Sequence, residues 1–206
     1  MANCCEDKAC AIEALQTKQA ATLKTVLGIN AVMFVVVLAM GIYANSAALL
    51  SDALDNLGDA LTYALSLYAV GQGIETKSRV ALFKGLLILG AGIGVMATVI
   101  YKAAHPAMPA FEAMGVTSLV ALAANATCLA VLWRHRSEDV NMSSVWECSR
   151  NDIASNLSVF VAAGGVWLFA SPWPDLVVGF ALALLFLMSG AKVIRSAMAG
   201  ALVRQI

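Results

Sequence analysis

Three carboxylates, Asp52, Asp55 and Asp59, stand at intervals of three and four residues in a long apolar stretch that opens at Ser46. In a helix of 3.6 residues per turn those intervals put all three on one face, so one stripe of a greasy rod is anionic. A charge at the centre of a membrane helix costs roughly 2.5–3.5 kcal/mol on insertion scales and is seldom kept without a polar pathway to face. Such a stripe asks for cations. A second polar patch comes much later, where Glu147, Cys148, Arg150, Asn151, Asp152 and Asn156 crowd the first half of another apolar stretch. Cys148 and Asp152 are spaced i, i+4, as are Asp55 and Asp59, so each pair shares a helix face. These four side chains can supply the O and S atoms of a tetrahedral site for a borderline divalent ion. Metal and protons would compete for the same atoms, which is a physical basis for exchange if the site faces one side at a time.

The elements that position these groups follow from composition. The chain is 61% hydrophobic and only 13% charged, against roughly 45–50% apolar in a soluble domain. Mean hydropathy is +0.81. This is the composition of a membrane protein, and the 206 residues hold about six spans of 20 residues with short connections. An all-α polytopic fold of six transmembrane helices is predicted, with spans near 24–44, 47–71, 80–101, 115–133, 141–170 and from the turn at Pro174 to about 193. Residues 1–22 read as a cytoplasmic segment, 23–196 as the transmembrane domain and 197–206 as a short cytoplasmic tail. No cleavable targeting segment is evident, because Glu6, Asp7, Lys8, Glu13 and Lys18 break any signal-like core. Net charge is zero, so nothing points to nucleic acid.

Orientation follows from the basic residues. With the N-terminus inside, the inner segments carry almost all Lys and Arg, and the outer loops only Lys102. The positive-inside rule then places both termini in the cytoplasm of an inner or plasma-type membrane. Counting the rise from each end puts Asp55 about 12 Å and Asp59 about 18 Å below the outer edge of the core. From the inner edge, Cys148 lies at about 9 Å and Asp152 at about 15 Å. The two i, i+4 pairs therefore meet at one depth.

Ser46-Ala-Ala-Leu-Leu-Ser-Asp52-Ala-Leu-Asp55-Asn-Leu-Gly-Asp59 resembles the second-helix signature of the cation diffusion facilitators, and Cys148-Ser-Arg-Asn-Asp152-Ile-Ala-Ser-Asn156 their fifth-helix signature. The six-span layout and Asn30 in the first span extend the likeness over about residues 20 to 196. The resemblance implies a homodimeric exporter of divalent transition metals driven by proton antiport. Asp55, Asp59 and Asp152 stand where the family has carboxylate ligands, and Cys148 where it usually has His. Neither motif contains His; His105 falls in an outer loop and His135 in an inner one. The chain also ends where many relatives continue into a cytoplasmic ferredoxin-like domain, so dimerisation is expected through the membrane helices. Gly90-Ala-Gly-Ile-Gly94 in the third span offers either that interface or packing within one protomer.

The remaining polar groups carry two readings each. Asp52 is either a relay toward the outer side or a carboxyl near the interface. Asn30 is a packing hydrogen bond or a pore-lining group, and Asn156 reads as a helix-contact hydrogen bond rather than a ligand. Cys4, Cys5 and Cys10 could hold a thiophilic ion, or be thiols with no task. Arg150 points away from the ion and pairs with Glu147, whereas Cys128 reads as a small buried apolar residue. The expected partners are divalent cations such as Zn²⁺ or Cd²⁺, protons as counter-ion, the bilayer and a second copy. No cofactor is expected beyond the transported ion, and no enzymatic activity. A passive divalent cation channel or uniporter is the main alternative. An intramembrane aspartyl protease needs one Asp from each of two helices and leaves the Asp55–Asp59 pair surplus. A small-molecule pump is disfavoured by the metal-ligand character of the polar groups.

Overall fold

The computed structural model describes residues 3–69, 74–133 and 140–202, with side chains described over 20–65, 67, 82–83, 85–133, 152–192 and 194–195. Six helices follow one another: α1 (Asn3–Tyr43), α2 (Ala47–Ala69), α3 (Ile74–Ala104), α4 (Phe111–Trp133), α5 (Val140–Phe169) and α6 (Trp173–Leu202). Five contain apolar windows long enough to cross a bilayer, Ala20–Tyr43, Gly85–Ala104, Phe111–Trp133, Asp152–Phe169 and Trp173–Lys192. At 23 residues α2 has the length as well, and differs in carrying the three carboxylates. Large apolar side chains such as Val32, Leu86, Ile93, Val116, Val161 and Met188 are exposed on the outer faces of the other five, as a lipid solvent requires. The chain is an all-α polytopic membrane protein.

Helices α1, α2, α5 and α4 close a four-membered ring, each touching the next, while α3 and α6 pair and lean on the ring through α2 and α5. Two apolar clusters fill the ring. One contains Met33, Val37, Ala53, Ala121, Val159 and Ala163; the other contains Leu23, Val26, Tyr63, Cys128 and Leu132. Asn30, Asn56, Asp59 and Asn125 fall between the two in the sequences of their own helices, so a polar layer separates the clusters.

Small residues set the close approaches. A Cβ on Gly92 would come within 2.8 Å of Leu187, and one on Gly190 within 2.9 Å of Ile88. These two glycines bring α3 and α6 together. Gly90 and Gly94 have nothing within 4 Å of such a Cβ, so of the three glycines in this run only Gly92 serves packing within the chain.

The α1–α2 connection is three residues long because α1 ends in a Schellman turn. Asn45 takes a left-handed φ of 51°, its N–H bonds to Ile42 O at 3.2 Å, and the Ser46 N–H bonds to Gly41 O at 3.0 Å. Asparagine tolerates that conformation better than most residues. Alanine does not, yet Ala170, just after α5, has φ 46°. Ala170→Gly is expected to stabilise the protein by about 1 kcal/mol by removing the Cβ clash. A raised denaturation midpoint in detergent would show it, and a lowered one would contradict it.

Candidate metal centre

The site is built downward from the N-terminus of α2. Ser46 is the N-cap, its Oγ accepting from the Leu49 N–H at 3.0 Å. The first turn is also capped from outside its own helix. Asp175 of α6 accepts from Ser46 Oγ at 2.6 Å, the Ala47 N–H at 2.8 Å and the Ala48 N–H at 3.0 Å. A buried carboxylate is well placed there because it meets both orphan donors and the positive end of the helix dipole. One turn further along α2, Ser51 Oγ donates to Gly179 O at 2.8 Å. A Cβ on Gly179 would stand 2.7 Å from the Ala47 carbonyl carbon. The N-terminal end of α2 is thereby stitched to α6.

Below that stitch, α2 and α5 present their polar faces to each other. Asp52 accepts from Ser155 Oγ at 3.0 Å, and Ser155 also reaches Asp55. Asp59 accepts from the Tyr63 hydroxyl at 2.5 Å and lies within hydrogen-bonding reach of the Asp152 carboxyl. Asp52, Asp59 and Asp152 are buried, at 1%, 8% and 6% exposure. Asp55 is half-buried and, with Asp59, lines a cavity of ≈ 620 Å³ between α2, α3, α5 and α6. Ser51, Thr62, Ser155, Ser158 and Ser189 add hydroxyls to its wall, and Leu182, Leu185 and Phe186 close it with apolar surface.

Charge fixes what this arrangement can do. Two carboxylates about 4 Å apart repel by about 4 kcal/mol at an effective dielectric near 20. A cation placed between two such carboxylates would relieve that repulsion. Among the described residues no group of three or more His, Cys, Asp and Glu side chains is arranged to hold a metal ion. Cys148 lies on α5 one turn from Asp152, but its side chain is outside the described residues, as are those of Cys4, Cys5, Cys10, Glu147 and Arg150; His135 lies outside them altogether.

Several expectations need correcting. The depth count sets Asp152 level with Asp55, whereas Asp152 reaches Asp59, the next carboxylate along α2; antiparallel helices need not begin at the same height. Asp52 is buried against α5, where it accepts from Ser155 Oγ. Among the described residues Asn156 makes no hydrogen bond to a neighbouring helix; its Nδ2 donates to Asp152 O of its own helix at 2.8 Å. Asn30 donates to Val26 O of its own helix at 3.0 Å and also reaches Cys128 Sγ at 3.9 Å across to α4. Cys128 is buried as expected. His105 is exposed and stacked on Tyr101, with ring centroids 4.7 Å apart. Tyr63, Ser155, Asp175, Asn56 and Asn125 join the polar layer around the site without belonging to either sequence-derived ligand pair. Tyr63 had a legible signal, the i, i+4 spacing from Asp59, but Asp175 had none.

Buried carboxylates facing one another across two helices of a six-helix membrane bundle, beside a polar cavity, define a cation carrier as a class. Residues 23–200 match the Cation efflux transmembrane domain. That is most of the chain, which therefore belongs to the cation efflux, or cation diffusion facilitator, family of metal-cation transporters. No curated protein matches the chain.

Proposed function

We propose that this protein exports divalent transition-metal ions of the Zn²⁺ and Cd²⁺ kind from the cytoplasm in exchange for protons, by alternating access, as a homodimer with both termini cytoplasmic. The observation that carries the reading is the Asp59–Asp152 contact across α2 and α5, at the edge of a cavity that Asp55 also lines. Asp55, Asp59, Asp152 and Cys148 are the proposed ligands, three hard oxygens and one soft sulfur. A divalent ion neutralises the facing carboxylates, and its departure leaves them to take protons, so the two cargoes alternate on the same atoms. The concentration of Lys and Arg in the segments assigned to the inside supports the orientation.

The test is flux into proteoliposomes that enclose a pH-sensitive dye, with Zn²⁺, Cd²⁺ and Mn²⁺ compared. Metal entry with opposite proton movement is expected. Metal entry without proton movement would replace the exchanger by a channel or uniporter, and no flux from folded protein would remove the reading. Cys148→Ser is expected to weaken Cd²⁺ affinity at least tenfold while changing that for Mn²⁺ by less than threefold, because only the softer ion gains from sulfur. Equal effects on both ions would take Cys148 out of the ligand set.

A further inference from the structure

Tyr63 stands one turn beyond Asp59 on α2, and its side chain is fully buried, at 0% exposure. The ring belongs to the apolar cluster that holds Leu23 and Val26 of α1 and Cys128 and Leu132 of α4. Tyr63 is not among the residues that line the cavity between α2, α3, α5 and α6, whereas Asp59 is. The phenol therefore approaches Asp59 from the α1 and α4 side and leaves the cavity side to the ion. Its hydroxyl donates to Asp59 Oδ2 at 2.5 Å, the length of a charge-assisted O–H···O bond. A tyrosine has few torsions to set, and close packing around the ring sets them. The hydroxyl is held in one place by the cluster, and one oxygen of Asp59 is held with it.

A carboxylate can meet a metal ion through one oxygen or through both. The Tyr63 hydroxyl occupies the Oδ2 side of Asp59, which favours contact through Oδ1 alone. That distinction sorts ions by coordination number. Zn²⁺ closes a tetrahedral shell with one atom from each of four side chains, at roughly 2.0–2.3 Å. Mn²⁺ prefers an octahedral oxygen shell, which the proposed ligands approach only when their carboxylates bind through both oxygens or water joins them. A donor that fixes the orientation of a ligating group also strengthens binding directly, and losing one costs roughly 10–100-fold in metal affinity.

We infer that Tyr63 is a positioning residue that sets the ion specificity of the transport site: its hydroxyl restrains Asp59 to one-oxygen contact and so favours four-coordinate ions over those that take six oxygens. The inference rests on the reading of Asp59 as a ligand, and adds to it the means of choosing among divalent ions. Part of that choice lies outside the ligand set, in a side chain that touches no ion.

The test is equilibrium binding of Zn²⁺ and of Mn²⁺ to the purified full chain in detergent, because a ratio of two affinities does not depend on the fraction of active protein. Tyr63→Phe keeps the ring and deletes the hydroxyl, while Tyr63→Met fills the same apolar space with a flexible side chain. In both variants Zn²⁺ affinity is expected to fall about tenfold, as when a ligand loses its orienting partner. Mn²⁺ affinity should stay within about threefold of native, since the released oxygen offers it a further donor. Val26→Ala loosens the same cluster without touching the hydroxyl, and should leave the Zn²⁺-to-Mn²⁺ ratio unchanged. An unchanged ratio in both Tyr63 variants, or an equal shift in Val26→Ala, would overturn the inference and leave the transport reading standing. If Asp59→Asn binds both ions as the native chain does, Asp59 is no ligand, and the inference falls together with that part of the transport reading.

Discussion

Asp59→Ala is expected to lower metal transport at least a hundredfold while leaving the protein folded and inserted. Asp59 is the one carboxylate that touches the other helix's acid, lines the cavity and carries a positioning bond from Tyr63. Removing it leaves the Tyr63 hydroxyl without that acceptor, at a cost of about 1–3 kcal/mol, but also removes a charge that repels Asp152. The two effects oppose each other, so stability changes little and function changes greatly. Asp59→Asn is the sharper companion, since it keeps the shape and the acceptor for Tyr63 and deletes only the charge. Both variants should fail in the proteoliposome assay with normal size-exclusion profiles. Native rates in Asp59→Asn would mean that the charge is not used to bind the cargo.

Asp175→Ala should instead damage the fold, lowering stability by about 3–5 kcal/mol. Three buried donors, Ser46 Oγ and the Ala47 and Ala48 N–H groups, converge on this side chain. The lipid side offers no water to replace it. Each bond to an ionised acceptor is worth about 1.5–3 kcal/mol, and the bonds are not independent, so the total is less than their sum. Asp175→Asn retains one acceptor oxygen and should fall between. The denaturation midpoint in detergent measures both, and an unshifted midpoint in Asp175→Ala would show that Ser46 alone suffices as the cap.

The six helices were legible because lipid makes hydropathy a direct reading of burial. The pairing of α2 with α5 was legible too, since buried carboxylates are too costly to lie at random and Asp55, Asp59 and Asp152 advertise one another. Asp175 was not, because Ser-Pro-Trp-Pro-Asp reads as a turn, and only packing brings α6 beneath the start of α2. The burial of Asn56 and Asn125 is not legible either, because a lone polar residue in an apolar span shows its surroundings only once the helices pack. Burial of Asp52 was hidden by arithmetic: counting the rise from the helix end gives depth along the membrane, not distance from the lipid. Helix length was likewise not a matter of hydropathy. α1 runs back to Asn3 through a polar stretch rich in good helix formers such as Ala, Glu, Leu, Gln and Lys.

The stitch between α2 and α6 has a mechanical consequence. The N-terminal end of α2 cannot slide on α6, because backbone meets Gly179 there without room for a methyl group, and the short Schellman turn chains it to α1 as well. Any rocking of α2 must pivot at that end, like a rod clamped at the top. By helical rise Asp52 lies about 8 Å and Asp59 about 18 Å below the clamp. A swing of about 10° moves Asp59 by about 3 Å and Asp52 by little more than about 1 Å on those lever arms. The carboxylate nearest the clamp is thus held almost still against Ser155. The one farthest from it sweeps through a distance comparable to a hydrogen bond, enough to leave Asp152 or return to it.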